Sequence, residues 1–226
     1  MDKDTFIPTE VNYRANIRAL HTQGCTHILA ATCCGSLRDD YAPGDFFLVD
    51  SFIDRTTKRT QTFHDQKSAN QSSGFGTVCH ISMHPSFCPK TRPVILETAK
   101  SLKMKETFKD KGTVVTIEGP RFSSRAESNM FRSWNADIIN MTTVPEVVLA
   151  KELGMSYTCI AMVTDYDCWK DNTEAVDVQD VLKVMAQNVE RVRTLFVQAV
   201  KFIGEQDWSE IIDENKELAK NSVISW

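Results

Sequence analysis

The chain has 226 residues, 42% of them hydrophobic, which is enough for a full core and argues against a disordered protein. Its formal net charge of −4 argues against a nucleic-acid-binding surface, which needs concentrated positive charge. No window of the sequence reaches the apolar length of a transmembrane helix, so we expect neither a nucleic acid nor a membrane as a partner.

The N-terminus and the cysteines indicate a cellular compartment. The first four residues lack the apolar run of a signal peptide. Seven cysteines is an odd number, and free thiols in a reducing cytosol are the simplest interpretation. We therefore expect a cytoplasmic protein and leave the nucleus open as a second location.

The hydrophobic pattern of the first half alternates between helical and extended periods. The first helical pattern places Val11, Ala15, Ala19 and Leu20 on one side and ends before Gly24. The elements predicted in this half are, in chain order, a helix over 9–20, strands over 27–32 and 45–50, a polar surface loop over 56–76, a strand over 78–83, a helix over 91–102 and a strand over 112–117.

The second half continues the alternation of helix and apolar strand with short connections. Its predicted elements are a helix over 124–134, a strand over 136–141, a helix over 145–153, a strand over 156–163 and helices over 176–203 and 208–219. This order is typical of an α/β fold whose sheet is covered by helices on both faces. Because the chain has no internal repeat and no obvious linker, we predict a single domain over residues 1–226.

The segment between the strand over 112–117 and the following helix is the richest in site signals. Ser124 and Glu127 have the three-residue spacing of a capping box, which opens a helix. Phe122 and Ser123 precede it, and an aromatic ring with a hydroxyl at a strand-to-helix switch could hold a flat polar ligand. A well-capped helix after a tight turn explains the same residues without a ligand.

Two carboxylates follow the apolar strand over 156–163. In an extended segment Asp165 and Asp167 would point to one face, roughly 6.6–7 Å apart. Such neighbours raise each other's pKa, and one of them could donate a proton near neutral pH. The alternative is a polar loop whose aspartates cap turns.

Two further segments could bind an anion. Thr142 or Thr143 can cap the helix over 145–153, and a helix N-terminus favours an anion, although capping alone is the more frequent use. Thr32 precedes the small-residue segment 33–36, where a hydroxyl and backbone N–H groups could bind phosphate. Neither a Walker loop nor a Gly-x-Gly-x-x-Gly motif occurs.

A metal site is not expected. A zinc site could be formed by Cys79, His80, His84 and Cys88. However, their spacing is not that of a known zinc finger, and Pro85 interrupts the segment.

Several stretches together resemble the trimeric purine nucleoside phosphorylase family, and within it the branch that acts on 5′-methylthioadenosine. The matching stretches cover residues 8–16, 54–57, 116–131, 140–147 and 161–169. The resemblance implies one α/β domain around a mixed, twisted sheet, assembled as a homotrimer. It also implies phosphorolysis of 5′-methylthioadenosine to adenine and 5-methylthioribose 1-phosphate in purine and methionine salvage.

The resemblance implies three groups of site residues. Those expected near phosphate are Thr32, Cys33 and Thr142. Those expected around the nucleoside are Phe122, Ser123, Met141, Val178, Leu182, His80 and Ile224, of which His80 and Ile224 would come from a neighbouring subunit. The catalytic residues would be Asp165 and Asp167, one of which gives a proton to N7 of the leaving purine. Phosphate is then a co-substrate, and neither a metal nor an organic cofactor is expected.

The residue types favour a 6-aminopurine with an apolar 5′ group. Aspartates accept hydrogen bonds from an exocyclic amine, and apolar side chains suit a thioether better than a buried hydroxyl. The alternatives are a phosphorylase that prefers adenosine and a non-catalytic nucleoside-binding or subunit-pairing module. Relatives carry a Gly-rich strand and an Arg-His-Gly segment before the position of Met1, so we expect this chain alone to be impaired in phosphorolysis.

Overall fold

The computed structural model describes residues 6–65, 78–105, 108–171 and 177–224. Within these residues the strands form one mixed sheet in the order β3-β5-β6-β1-β7-β2-β4. The strands are β1 (His27–Ser36), β2 (Phe46–Leu48), β3 (Ser51–Arg55), β4 (Phe108–Lys109), β5 (Thr113–Ile117), β6 (Ile138–Asn140) and β7 (Ser156–Asp165). β1 and β7 are parallel neighbours at the centre, whereas β1 with β6 and β7 with β2 are antiparallel.

Six α-helices of the described residues cover the sheet. They are α1 (Tyr13–Thr22), α2 (Thr91–Ser101), α3 (Arg125–Ser133), α4 (Thr143–Glu152), α5 (Val178–Gly204) and α6 (Ser209–Asn221), and a 3-10 turn (Pro8–Glu10) precedes α1. Successive residues of β2 point to opposite faces, so Phe47 packs in a cluster with α1 and α4 while Phe46 and Leu48 pack with α2 and α5. The predicted α/β fold with helices on both faces is thereby confirmed.

The position of β7 in the middle of the sheet explains why its sequence is almost continuously apolar. All of its residues except the last, Asp165, are buried, because both faces of the strand lie against helices or other core residues. Its pairing with β1 runs in register from His27 opposite Ser156 to Cys34 opposite Val163. The carboxyl ends of both strands therefore reach the same region of the molecule.

Most predicted elements occur, with four differences. β1 continues through residues 33–36, which the sequence predicted as a loop, and Gly35 within it leaves room for the close approach of Asp165 and Ile139. Residues 78–83 form only an isolated bridge between Cys79 and Val223, and the short strands β3 and β4 were not predicted. In α1 the buried residues are Tyr13 and Ile17, so the predicted apolar side was wrong. The predicted polar loop lies outside the described residues from residue 66 onward.

All seven cysteines lie within the described residues, and none forms a disulfide. No helix of the described part of the chain is both long and apolar enough to cross a membrane.

Helix α3 begins with the predicted capping box. The Ser124 hydroxyl accepts a hydrogen bond from the Glu127 N–H, and the Glu127 carboxylate accepts one from the Ser124 N–H. Arg121 binds the same carboxylate through both terminal nitrogens, at 2.7 Å each, and these bonds lower the pKa of Glu127 to about 2. The cap thus fixes the direction in which the chain enters α3, directly after Phe122 and Ser123.

We expect Ser124→Ala to lower the free energy of unfolding by about 1 kcal/mol, the usual cost of losing an N-cap hydroxyl. Chemical denaturation measures this value. Ser133→Ala, at the exposed end of the same helix, serves as the control and should change stability by less than about 0.5 kcal/mol. Equal stability of the two variants would contradict a structural role for the cap.

Candidate active site

A cavity of about 450 Å³ lies where β1, the ends of β5, β6 and β7 and the first turns of α5 meet. Eight of the residues predicted for the site line it: Thr32, Cys33, Phe122, Ser123, Met141, Thr142, Asp165 and Asp167. The remaining lining residues are Ala31, Cys34, Gly35, Ile117, Ile139, Asn140, Thr164, Val181 and Met185. Its only charged lining residues among those the structure describes are the two aspartates.

The two carboxylates sit differently from the extended arrangement predicted for them. Asp165 ends β7, and its Oδ1 accepts a hydrogen bond of 2.7 Å from the Asp167 N–H while its Oδ2 accepts one from the Thr164 hydroxyl. Asp167 has a left-handed backbone with φ of 52°, so the extended spacing does not apply. Asp165 therefore caps the turn, as the alternative interpretation held, and both carboxylates still line the cavity.

Asp167 is the buried member of the pair. Burial raises the pKa of Asp167, and the nearby charge of Asp165 raises it further, whereas the hydroxyls of Ser128 and Ser123 lower it. Despite this proximity, Asp167 Oδ2, Ser123 Oγ and Ser128 Oγ are buried without a hydrogen-bond partner of good geometry among the described residues. Buried polar atoms in proteins are almost always paired, so this cluster is suited to a polar ligand edge.

A network of hydroxyls occupies another wall of the cavity. Asn140 Nδ2 donates to Thr143 Oγ1 at 2.6 Å and to Thr32 Oγ1 at 3.3 Å, and its Oδ1 accepts from the Thr116 hydroxyl. The hydroxyls of Thr32 and Thr142 lie 3.1 Å apart and share a hydrogen bond. The arrangement presents two adjacent hydroxyls to the cavity.

Two expectations about this wall were wrong. Thr142 precedes α4, but its side chain makes no capping hydrogen bond because its hydroxyl is turned toward Thr32. Residues 33–36 belong to β1, so they do not form a loop of free N–H groups.

Cys33 lies beside Thr32 in this wall and is partly buried. Burial and the nearby charge of Asp165 raise the pKa of the Cys33 thiol, so the thiol is protonated near neutral pH.

The apolar walls come from two loops and a helix. Phe122 is 37% exposed and is the only aromatic residue among the described residues that line the cavity. Met141 lies against Gly119, where an added Cβ would approach the Met141 sulfur to 2.6 Å and would displace the Met141 side chain. Gly119 also has φ of 67°, which favours glycine.

Helix α5 contributes different residues from those predicted. Val181 and Met185 line the cavity, whereas Val178 and Leu182 are 53% and 45% exposed and do not. All four share one stripe of the helix at spacings of three and four residues, and Val178 and Leu182 are the exposed members of that stripe. Their contact with a ligand stays a prediction.

His80 and Ile224 lie together but do not line this cavity. The His80 N–H donates to the Ser222 carbonyl at 2.9 Å, and the Ile224 N–H donates to the Val78 carbonyl at 3.0 Å. The two residues thus flank one bridge between distant parts of the chain. Their predicted role in a neighbouring subunit stays a prediction.

Among the described His, Cys, Asp and Glu side chains, no group of three is placed to hold a metal ion.

Arg59 was missed by the sequence analysis. Its side chain is only 1% exposed and forms an ion pair with Glu118 at 3.1 Å. It comes from the segment predicted as a polar surface loop, where a cation is expected to be solvated. The signal that could have found it is its place just after the family-like residues 54–57.

The comparison with known proteins identifies the family. The sequence pattern of the phosphorylase superfamily matches residues 8–201. The chain belongs to this superfamily. Two relatives named S-methyl-5′-thioadenosine phosphorylase place it more closely: that of Danio rerio is 55% identical over 97% of this chain and 76% of its own length, and that of Drosophila melanogaster is 51% identical over 99% and 75%.

Solved structures of the superfamily share the fold. A variant of the adenosine/methylthioadenosine phosphorylase from Schistosoma mansoni, in complex with adenine, superposes with a TM-score of 0.90 at 42% identity and covers 96% of this chain and 80% of its own. Another variant, in complex with methylthioadenosine, gives a TM-score of 0.88 at 41% identity, with 96% and 78% covered. The family resemblance found in the sequence and the predicted fold are confirmed.

The carboxylates lie so close to β1 that position 35 requires a glycine. A Cβ at this position would lie 2.9 Å from Asp165 Oδ1 and 3.0 Å from Ile139 Cγ2. We expect Gly35→Ala to displace the Asp165 carboxylate, to lower the free energy of unfolding by about 1–3 kcal/mol and to speed hydrogen exchange at the Asp167 N–H.

Denaturation and amide exchange measure the two effects. Gly204→Ala, at the end of α5 where an added Cβ meets nothing within 4 Å, is the matched control and should not lower stability. If Gly35→Ala changed neither the free energy of unfolding nor the exchange rate of the Asp167 N–H, the close approach would be unimportant.

Proposed function

We propose that this chain catalyses phosphorolysis of 5′-methylthioadenosine, which yields adenine and 5-methylthioribose 1-phosphate. The observation that carries the proposal is the single cavity that combines an aromatic ring, two carboxylates and two adjacent hydroxyls. These groups match the three parts of the reaction, namely the purine, the proton that it must gain and the phosphate. The names of the relatives support the same substrate.

The base end of the cavity suits adenine. Phe122 offers a ring face for stacking, and the Ser123 hydroxyl lies at the buried polar cluster with Asp167. An ionised carboxylate accepts hydrogen bonds but cannot donate them, so it binds the 6-amino group of adenine better than the 6-oxo group of hypoxanthine. We therefore assign base recognition to Phe122, Ser123, Asp165 and Asp167.

The carboxylate pair supplies the proton for the leaving base. Burial and the neighbouring Asp165 carboxylate raise the pKa of Asp167, so Asp167 can hold a proton. Asp165 lies beside it and accepts hydrogen bonds at both of its carboxylate oxygens. As the C1′–N9 bond stretches, this proton moves to N7 and adenine departs as a neutral molecule.

The phosphate and ribose bind at the opposite end. Thr32 and Thr142 place two hydroxyls within 3.1 Å of each other, where they can donate to one phosphate group, and Cys33 lies beside them. Met141 lies next in the chain and would pack against the ribose. A phosphate held there captures C1′ as the sugar gains positive charge, and its own negative charge stabilises that transition state.

The proposed pocket for the 5′-methylthio group depends on the proposed assembly of the protein. Val181, Met185, Val178 and Leu182 form an apolar stripe on α5 beside the cavity, which suits a thioether. His80 and Ile224 would complete this pocket from a neighbouring subunit of a homotrimer. We also propose a cytoplasmic location and a reaction that uses phosphate as co-substrate without a metal or organic cofactor.

The central test is phosphate-dependent release of adenine from 5′-methylthioadenosine. We expect kcat/KM to be higher for 5′-methylthioadenosine than for adenosine, and lowest for inosine, which lacks the 6-amino group. We expect Asp167→Asn to lower kcat by about 10²–10⁴-fold, because the amide cannot give up a proton. Asp171→Asn is the matched control, since Asp171 is 83% exposed in its side chain and pairs with Arg125 at the surface.

Three outcomes would contradict the proposal in different ways. A higher kcat/KM for adenosine would favour an adenosine-preferring phosphorylase. Binding of adenine in calorimetry without phosphate-dependent turnover would favour a nucleoside-binding module. Equal loss of activity in Asp167→Asn and Asp171→Asn would remove Asp167 from the mechanism.

A further inference from the structure

We propose that Arg59 is a positioning residue that holds the base-binding loop and the ribose-binding loop of the cavity at a fixed separation. The base-binding loop comprises residues 117–124, and the ribose-binding loop comprises residues 141–144. The inference rests on the proposed function for the names of the two loops, which refer to the base and the ribose. The contacts of Arg59 that support it are independent of the proposed function.

The guanidinium of Arg59 donates to backbone carbonyls of both loops. Nη1 binds the carbonyl oxygens of Met141 at 2.5 Å and Val144 at 2.7 Å. Nη2 binds those of Ile117 at 3.3 Å and Glu118 at 2.7 Å. A single rigid and planar group therefore spans the two segments that carry Phe122 on one side and Thr142 on the other.

The position of Arg59 explains why the loops need it. Strands β5 and β6 are parallel neighbours that pair up to Thr116 opposite Asn140 and then separate around the cavity. Beyond that pair β5 and β6 are no longer paired with each other, and the carbonyl groups of Glu118 and Met141, which directly follow the two strands, need other donors. Arg59 supplies them instead, so the opening between the strands keeps its width without strand pairing.

The charge of Arg59 is balanced where it is buried. Glu118 Oε1 accepts from Arg59 Nε and from the Thr9 hydroxyl, and its Oε2 accepts from the N–H groups of Thr57 and Lys58. These bonds outweigh the opposing effect of burial and lower the pKa of Glu118 to about 2. The ring of Tyr13 lies 5.4 Å from the guanidinium carbon.

Lysine cannot replace this arrangement. Its ammonium is a single point with three donors, whereas the contacts of Arg59 diverge from three nitrogens toward two different loops. Arg59→Lys therefore keeps the positive charge but cannot bind both loops at once. If Arg59 stabilised the fold through its charge alone, lysine would largely replace it, so this variant separates a structural role from a positioning role.

The experiment compares Arg59→Lys with the parent chain by kinetics and by amide hydrogen exchange. We expect at least a roughly tenfold loss in kcat/KM for 5′-methylthioadenosine, with kcat lowered and the KM values for nucleoside and phosphate both raised, because small displacements of reacting groups are costly. We expect faster exchange in both loops together and unchanged exchange in β1 and β7. Arg193→Lys is the matched control, since Arg193 is 73% exposed and pairs only with Glu190 on α5 in the described structure.

Each outcome decides the matter. A lower melting temperature with unchanged kcat and KM values, or faster exchange in one loop alone, would overturn the proposal. If Arg59→Lys does not fold, Glu118→Gln keeps the side-chain shape while weakening the hold on Arg59 and should affect the same two loops. If the parent chain shows no turnover, the proposed function fails, whereas coupled exchange of the two loops still tests Arg59 on its own.

Discussion

The parallel pairing of β1 with β7 is the constraint on which the site depends. It fixes the register so that Thr32 lies opposite Ala161, and a shift in register between Cys34 and Gly35 then brings Gly35 opposite Asp165. The hydroxyl on one strand and the carboxylate on the other therefore face the same cavity. The absence of a side chain at Gly35 lets the carboxylate lie against β1.

The chemistry of the cavity follows from where each strand ends. Asp165 is the last residue of β7, and Asp167 is buried in the turn that follows. The pKa of Asp167 is raised by burial and by the nearby charge of Asp165. The network around Asn140 orients the hydroxyls of Thr32 and Thr142 at another wall. In the proposed function, a purine between these walls meets a proton source at its base and an anion site near its sugar. Arg59 donates hydrogen bonds to backbone carbonyls of the two loops that carry Phe122 and Thr142.

The sequence predicted those features that depend on local pattern. The capping box at Ser124 and the buried strand before Asp165 depend on neighbouring residues, and both occur as expected. The sequence predicts a loop over residues 33–36 because small residues are common in turns. In the structure they belong to a strand, and the lack of a side chain at Gly35 accommodates Asp165 and Ile139, a reason that only the packing reveals.

Long-range contacts account for what the sequence could not predict. The family resemblance implied Val178 and Leu182 on α5, whereas the packing of the helix places Val181 and Met185 of the same stripe at the cavity. Arg59 looked like a solvated charge because its partners lie roughly 60 to 85 residues further along the chain. The bridge that joins His80 to the end of the chain has the same origin.

A crystal structure of this chain with adenine bound tests the central claim most directly. The account predicts that the purine stacks on Phe122 and that N7 lies about 2.7–3.2 Å from a carboxylate oxygen of Asp165 or Asp167. Adenine bound elsewhere, or bound in this cavity with both carboxylates turned away from N7 and the 6-amino group, would contradict it.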